Sequence, residues 1–185
     1  GGPGGAWGAG GGGLVPAVLC GLGARWGRAA ALPARGCPRR VSRAAAPHFK
    51  SQNSGAYVHM TSTSGLIGNY GQANYGAAKL GLAGFTKSLY LEGAKNNIKV
   101  NTLAPIAGTR MTEDILPPEA YKAFDPVNVV PAALYLVSED APSNVIVGAG
   151  AGFFHTANVT LTQGVMLPED ERTPEGVAAH WAQII

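Results

Sequence analysis

Three residues in the middle of the chain combine side chains that suit proton transfer at an alcohol or a carbonyl group. Tyr75 and Lys79 are four residues apart, so on a helix they share one face, with Cβ atoms about 6 Å apart. A phenol has a pKa of about 10, and a nearby ammonium favours the phenolate, which makes a tyrosine usable as an acid or base. Ser62 precedes Tyr75 in the sequence and supplies a hydroxyl that can hydrogen-bond the same substrate oxygen.

The elements predicted around these residues would bring them together. A strand is predicted over 56–61, directly before Ser62. A long helix is predicted over 73–94 and would carry Tyr75 and Lys79. A strand over 98–104, a helix over 127–137 and a short strand over 144–147 follow. This alternation predicts an α/β fold with the later strands of a Rossmann-like, doubly wound parallel sheet. Such sheets bind ligands at the carboxyl ends of their strands.

The first part of the chain has a different composition from the rest. Residues 1–50 hold 13 of the 27 glycines, half of the 14 Lys and Arg residues, and no carboxylate. We predict that residues 1–47 are a low-complexity, disordered leader, because glycine loses much entropy on ordering and Pro33 and Pro38 interrupt helices. The glycines lack the preceding strand that a dinucleotide phosphate turn requires. We therefore place the domain at residues 48–185.

Composition excludes several classes of protein. The basic pI comes from the leader, so it does not indicate a nucleic-acid binder. The two cysteines, Cys20 and Cys37, form neither a disulfide framework nor a zinc motif. No apolar run is long enough for a membrane-spanning helix, and no spacing of metal ligands is evident, so we predict no metal site.

With these residues in place, the chain resembles the short-chain dehydrogenase/reductase family. Within it, the resemblance is strongest to the (3R)-hydroxyacyl-CoA dehydrogenase domain of the peroxisomal multifunctional enzymes type 2, of which residues 48–185 resemble the later, catalytic half. The segments that carry the resemblance are 62–65, 71–79 and 100–105 for the family, and 66–75, 107–112 and 172–181 for the subfamily.

The resemblance implies a role for each site residue. Tyr75 would be the general acid/base and would also contact the cofactor. Lys79 would activate Tyr75 and hold the nicotinamide ribose, and Ser62 would orient the reacting oxygen, with Ser64 as the alternative serine. Cofactor contacts would also come from the loop after the second strand, at Pro105, Ile106 and Thr109. The implied reaction is NAD-dependent oxidation of a (3R)-3-hydroxyacyl-CoA to a 3-ketoacyl-CoA, as in fatty acid β-oxidation.

Two alternatives stay open at this point. The Gly-rich phosphate site of the family has no counterpart in residues 48–185, so the chain could instead be a truncated, non-catalytic subunit partner. A related reductase, acting on 3-ketoacyl thioesters or a steroid ketone, is the other alternative.

The resemblance also implies partners and a location. The expected partners are an acyl-CoA-type substrate and a second copy of the chain, contacted through the helix of Tyr75 and Lys79. Neither nucleic acid nor a membrane is expected as a partner. The expected compartment is the peroxisome, although the Arg/Ala-rich leader is also typical of mitochondrial or plastid transit peptides.

Overall fold

The fold is built on one five-stranded sheet. A computed structural model describes residues 15–21, 37–107 and 118–185. The strands lie in the order of the chain, and the first four are parallel, whereas the last runs antiparallel to its neighbour. They are β1 (Ala17–Gly21), β2 (Gly55–Met60), β3 (Ile98–Pro105), β4 (Ile146–Gly150) and β5 (Phe153–Ala157). The predicted α/β class with a mainly parallel sheet is confirmed.

Helices connect the strands, and three of the predicted elements are confirmed to within one residue. The predicted strand 56–61 is β2, the predicted helix 73–94 is α3, and the predicted strand 98–104 is β3. The helices are α1 (Cys37–Gln52), α2 (Thr63–Leu66), α3 (Ala73–Gly93), α4 (Pro118–Ala123), α5 (Val130–Tyr135), α6 (Pro174–Ala179) and α7 (Trp181–Ile184), with 3₁₀ turns at Ala94–Asn96, Pro126–Val129 and Glu169–Glu171.

Side chains on β2 alternate between the two faces of the sheet, and each face is covered. Ala56 and Val58 lie in a core with Leu136 of the segment after α5. Tyr57 points to the opposite face and lies in a second core with Phe49 of α1. Because both faces of the strand are buried, β2 reads as a nearly continuous apolar run. The result is a central sheet with helical segments on both sides, as a doubly wound fold requires.

The leader prediction is wrong where α1 begins. Both β1 and the first eleven residues of α1 lie within the segment 1–47 that we predicted to be disordered. Pro38 is the second residue of α1, where an N–H has no intrahelical partner and its loss costs nothing. Phe49, near the other end, is buried with its ring 4.9 Å from that of Tyr57. Packing on the sheet therefore stabilises a helix that composition alone argued against.

The last part of the sheet also differs from the prediction. We predicted a strand over 144–147, whereas β4 begins at Ile146 and continues through Gly148 to Gly150. Asn144 has φ of 65°, which is left-handed backbone and does not start a strand. Position 148 within this strand requires glycine, because the Cβ of any other residue would overlap the ring of His155 on β5. The predicted helix 127–137 is a 3₁₀ turn followed by the short α5.

None of the described helices is both long and apolar enough to cross a membrane.

Candidate active site

The site begins where β2 ends. Thr61 and Ser62 follow the last residue of β2, and Ser62 is the N-cap of α2. The Ser62 Oγ accepts a hydrogen bond from the Ser64 backbone N–H at 3.3 Å. This bond fixes the hydroxyl at the carboxyl edge of the sheet, where the sequence predicted it. Ser64, the alternative serine, lies one residue inside α2 and supplies the N–H of this bond.

Tyr75 and Lys79 lie in the first two turns of α3, as predicted. The Lys79 ammonium is 5.6 Å from the centre of the Tyr75 ring. It donates a hydrogen bond of 2.9 Å to the backbone carbonyl of Met60 at the end of β2. An ammonium has three N–H donors, so two remain for other acceptors. The structure thus places a cation against the face of the phenol at the same edge as Ser62.

A hydrogen bond and close contacts at two glycines hold the carboxyl end of β2 and α2 against α3. The Thr61 hydroxyl donates to the Lys79 carbonyl at 2.6 Å. A Cβ on Gly65 would lie 2.7 Å from the Cβ of Lys79, and one on Gly76 would lie 3.1 Å from the Ser64 carbonyl oxygen. At Gly65 any side chain would block this approach of α2 to α3, and at Gly76 a side chain would make a tight contact. The spacing between Ser62 and the Tyr75 helix is therefore set by backbone contact.

Burial changes the chemistry of Lys79. The residue is only 5% exposed, and desolvation lowers the pKa of its ammonium below the ordinary value, because a charged group is disfavoured away from water. The bond to the Met60 carbonyl partly offsets that cost. Lys79 therefore releases its proton more readily than a lysine on the surface.

The predicted cofactor contacts after β3 are described in part. Pro105 ends β3, and the Ile106 N–H donates to the Ala149 carbonyl of β4 at 2.8 Å. A Cβ on Gly150 would lie 2.4 Å from the Ile106 carbonyl oxygen, so the glycine admits this turn. Since β2, β3 and β4 are parallel, Ile106 lies at the same edge of the sheet as Ser62. Thr109 lies outside the described residues.

The described residues suit the nicotinamide end of a dinucleotide. Donors from Ser62 and Lys79 lie at the carboxyl edge of a parallel sheet, where such cofactors bind, and the apolar Ile106 is 39% exposed beside them. The described ranges contain no Gly-rich turn between a strand and a helix. Among the same residues, no three His, Cys, Asp or Glu side chains lie together as a metal site.

Some residues that shape the site had no signal in the sequence. Met60 and Thr61 act through a backbone carbonyl and a local hydroxyl, and neither role follows from residue type. Gln72 is the N-cap of α3 without a side-chain cap bond, and its Oε1 is buried without a hydrogen-bond partner. The Oε1 atom lies on the residue three positions before Tyr75, at the start of the site helix.

His59 on β2 lies outside the site. Its ring is fully buried and bridges two helices, through the Ser42 hydroxyl at 3.2 Å and the Thr86 hydroxyl at 2.8 Å. The Thr102 hydroxyl donates to that of Thr86 at 2.9 Å, so the ring belongs to a buried chain of hydrogen bonds. Burial lowers the pKa of His59 to about 4, and the ring is therefore neutral near pH 7. Its role is structural.

Comparisons with known proteins agree with this architecture. The profile of the short chain dehydrogenase family matches residues 37–120. A Mycobacterium tuberculosis protein named as a short-chain type dehydrogenase/reductase is 49% identical over 145 residues, which are 78% of this chain and 50% of that protein. Peroxisomal multifunctional enzyme type 2 of Mus musculus is 43% identical over 148 residues, covering 78% of this chain and 20% of that enzyme.

Solved structures are also similar. Full-length peroxisomal multifunctional enzyme type 2 from Drosophila melanogaster matches with a TM-score of 0.70 and 31% identity, over 80% of this chain and 27% of the other. The chain thus spans about half, or less, of the length of these relatives.

Proposed function

We propose that the chain oxidises (3R)-3-hydroxyacyl-CoA with NAD. The premise is its similarity to the short-chain dehydrogenases and, among them, to the peroxisomal multifunctional enzymes type 2. The single observation that carries the proposal is the Lys79 ammonium, held by the Met60 carbonyl at 2.9 Å and lying 5.6 Å from the centre of the Tyr75 ring. The matching family and the name of the Mycobacterium tuberculosis relative support a dehydrogenase or reductase.

Each site residue has one task in the proposed reaction. Ser62 donates a hydrogen bond to the substrate hydroxyl and orients it. Tyr75, in its phenolate form, takes the hydroxyl proton, and the adjacent ammonium of Lys79 favours that transfer electrostatically. Bound NAD+ would supply the acceptor for the hydride that leaves the carbon carrying the hydroxyl. The products are a 3-ketoacyl-CoA, the reduced cofactor and a proton.

The cofactor would be held by the residues at the same edge of the sheet. Lys79 has two donors left for the hydroxyls of the nicotinamide ribose, and Pro105 and Ile106 would cover the nicotinamide ring. The contact from Thr109 stays a prediction, as does the choice of NAD over NADP.

The test is NADH formation from (3R)-3-hydroxyacyl-CoA, followed by absorbance. We expect activity for the wild-type chain and a loss of at least about 100-fold in kcat for Tyr75→Phe, since general acid–base catalysis contributes about 10²–10⁴-fold. Tyr90→Phe, at the far end of the same helix, is the matched control and should leave kcat unchanged. Equal rates for wild type and Tyr75→Phe would reject the proposal.

A second candidate reaction is the reverse one, reduction of a 3-ketoacyl thioester. It is favoured by a further relative, the acetoacetyl-CoA reductase of an Acinetobacter strain, which is 44% identical over 98 residues. The same three residues would serve, with Tyr75 donating its proton to the carbonyl oxygen. Rates with acetoacetyl-CoA and NADPH, compared with those for oxidation, decide between the two directions.

We also propose that two copies associate through α3 and that the protein works in the peroxisome. The solvent side of α3 exposes small and apolar side chains, including Leu80 at 47% and Leu91 at 75%. Gly81 and Gly84 on the same helix have open space around them. Light scattering of the wild type and of Gly84→Arg tests the association, since a dimer through α3 would dissociate in the variant. The location rests on relatives named as peroxisomal, and imaging of the tagged full-length protein would test it.

A further inference from the structure

Three exposed arginines stand on the N-terminal half of α1 without any acidic partner. Arg39, Arg40 and Arg43 are exposed. Among the described residues, the ion pair that forms joins His180 and Glu171, so no described carboxylate pairs with these arginines. The first carboxylate in the whole sequence is Glu92. We call these three arginines the α1 patch.

The α1 patch lies at the level of the candidate site. The hydroxyl of Ser42 on α1 meets the ring of His59 near the carboxyl end of β2, and Phe49 packs close to Gly55 at its amino end. Hence α1 runs antiparallel to β2, and Arg39 lies one turn beyond Ser42 toward the carboxyl edge. There the Thr61 hydroxyl contacts the Lys79 carbonyl.

The α1 patch is also close to the site in the direction across the sheet, from α1 to α3. Ser42 on α1 and Thr86 on α3 hydrogen-bond the same His59 ring, so the two helices are neighbours in one layer. Neighbouring helices lie about 8–10 Å apart. The arginines are thus about one helix spacing from the helix that carries Tyr75 and Lys79.

We infer that the α1 patch binds the nucleotide phosphates of the ligand whose reacting end lies at Tyr75. This inference rests on the proposed function. Guanidinium groups bind phosphate through paired N–H donors, and the absence of carboxylates from residues 1–91 leaves the patch free of acidic competition from its own elements. Two ligands of the proposed reaction carry nucleotide phosphates, the CoA thioester and the dinucleotide. The pantetheine arm of a CoA thioester is long enough to join phosphates at α1 to a thioester at α3.

The test measures equilibrium binding, so it does not depend on turnover. Adenosine 3′,5′-bisphosphate, which reproduces the nucleotide end of CoA, and NAD+ are titrated separately into the full chain by calorimetry. The variant is the triple change Arg39→Gln, Arg40→Gln and Arg43→Gln. The control is Lys50→Gln, which removes a cation from the same helix about 16 Å farther along its axis. Thermal unfolding of both variants verifies that they fold.

We expect the triple variant to bind one of the two probes at least about tenfold more weakly, since hydrogen bonds between charged groups are strong. We expect Lys50→Gln to bind both probes as the wild type does. Weaker binding of the bisphosphate identifies CoA as the ligand, and weaker binding of NAD+ identifies the cofactor. Unchanged binding of both probes in the triple variant, equal losses in the control, or no binding by the wild type would overturn the inference. Binding of the bisphosphate by the wild type without any NADH formation from (3R)-3-hydroxyacyl-CoA would instead refute the proposed function.

Discussion

Acid should destabilise this protein by protonating one buried histidine. His59 is fully buried between Ser42 and Thr86, and burial lowers its pKa from 6.5 to about 4. The folded state therefore favours the neutral ring. The associated stability is fully present above pH 6.5, the pKa in the unfolded chain, and is lost as the pH falls toward 4.

The size of the effect follows from the same two values. Each unit of difference between folded and unfolded pKa corresponds to about 1.36 kcal/mol. A change from 6.5 to about 4 thus removes about 3 kcal/mol of unfolding free energy between pH 7.5 and pH 4. That loss is large, since domains of this kind are stable by about 5–15 kcal/mol.

Urea denaturation at a series of pH values measures this loss. Carboxylates titrate in the same range, so the quantity of interest is the difference between the wild type and His59→Gln, whose amide can hydrogen-bond both hydroxyls without titrating. We expect this difference to change by about 3 kcal/mol between pH 7.5 and pH 4. His48→Gln, at an exposed position on α1, is the control and should follow the wild type. If the difference in unfolding free energy between the wild type and His59→Gln is the same at every pH, His59 is not the acid-sensitive group.

Two further substitutions test the geometry of the site. Gly65→Ala should lower kcat and cost about 1–3 kcal/mol of unfolding free energy. The reason is that its Cβ would lie 2.7 Å from Lys79 Cβ and 2.8 Å from the Leu80 backbone N. The control is Gly84→Ala, where the space is open, and it should be neutral or slightly stabilising. Wild-type kcat in Gly65→Ala would show that the contact between α2 and α3 does not position Ser62. Lys79→Met should fold but lose at least about 100-fold in kcat, as expected for loss of the group that assists proton transfer. Lys87→Met, two turns later, should not, and a similar loss there would point to a general effect of charge.

The sequence predicted the elements whose side-chain pattern is strong. The run of β-type residues from Ala56 and the long helix that carries Tyr75 were predicted nearly to the residue, because local pattern and tertiary packing agree there. The spacing of Tyr75 and Lys79 also predicted that these two side chains share one face of the helix, and the Lys79 ammonium lies 5.6 Å from the centre of the Tyr75 ring.

The errors arise where packing overrides composition. Helix α1 contains Pro38 and Pro47, yet its buried Phe49 and Ser42 attach it to β2. Strand β5 pairs with β4 across a tight turn at Ala151 and Gly152, both with positive φ, and its side chains are largely exposed. Nothing in its own sequence has the alternation that marks a half-buried strand.

Contacts made by the backbone could not be predicted from the sequence either. The carbonyl of Met60 holds the Lys79 ammonium, and any residue at position 60 presents such a carbonyl. Gly65 and Gly76 looked like ordinary loop and helix glycines, but they set the distance between α2 and α3. Residue types identified the reactive groups, whereas their exact placement depends on the fold.

The most direct test of the central claim follows the hydride itself. The full chain is incubated with NAD+ and (3R)-3-hydroxyacyl-CoA that carries deuterium on C3, and the reduced cofactor is analysed by mass spectrometry. We predict one deuterium in the NADH formed by the wild type and a strongly reduced yield of labelled NADH with Tyr75→Phe. Unlabelled NADH, no NADH at all, or an equal yield from Tyr75→Phe would contradict the account.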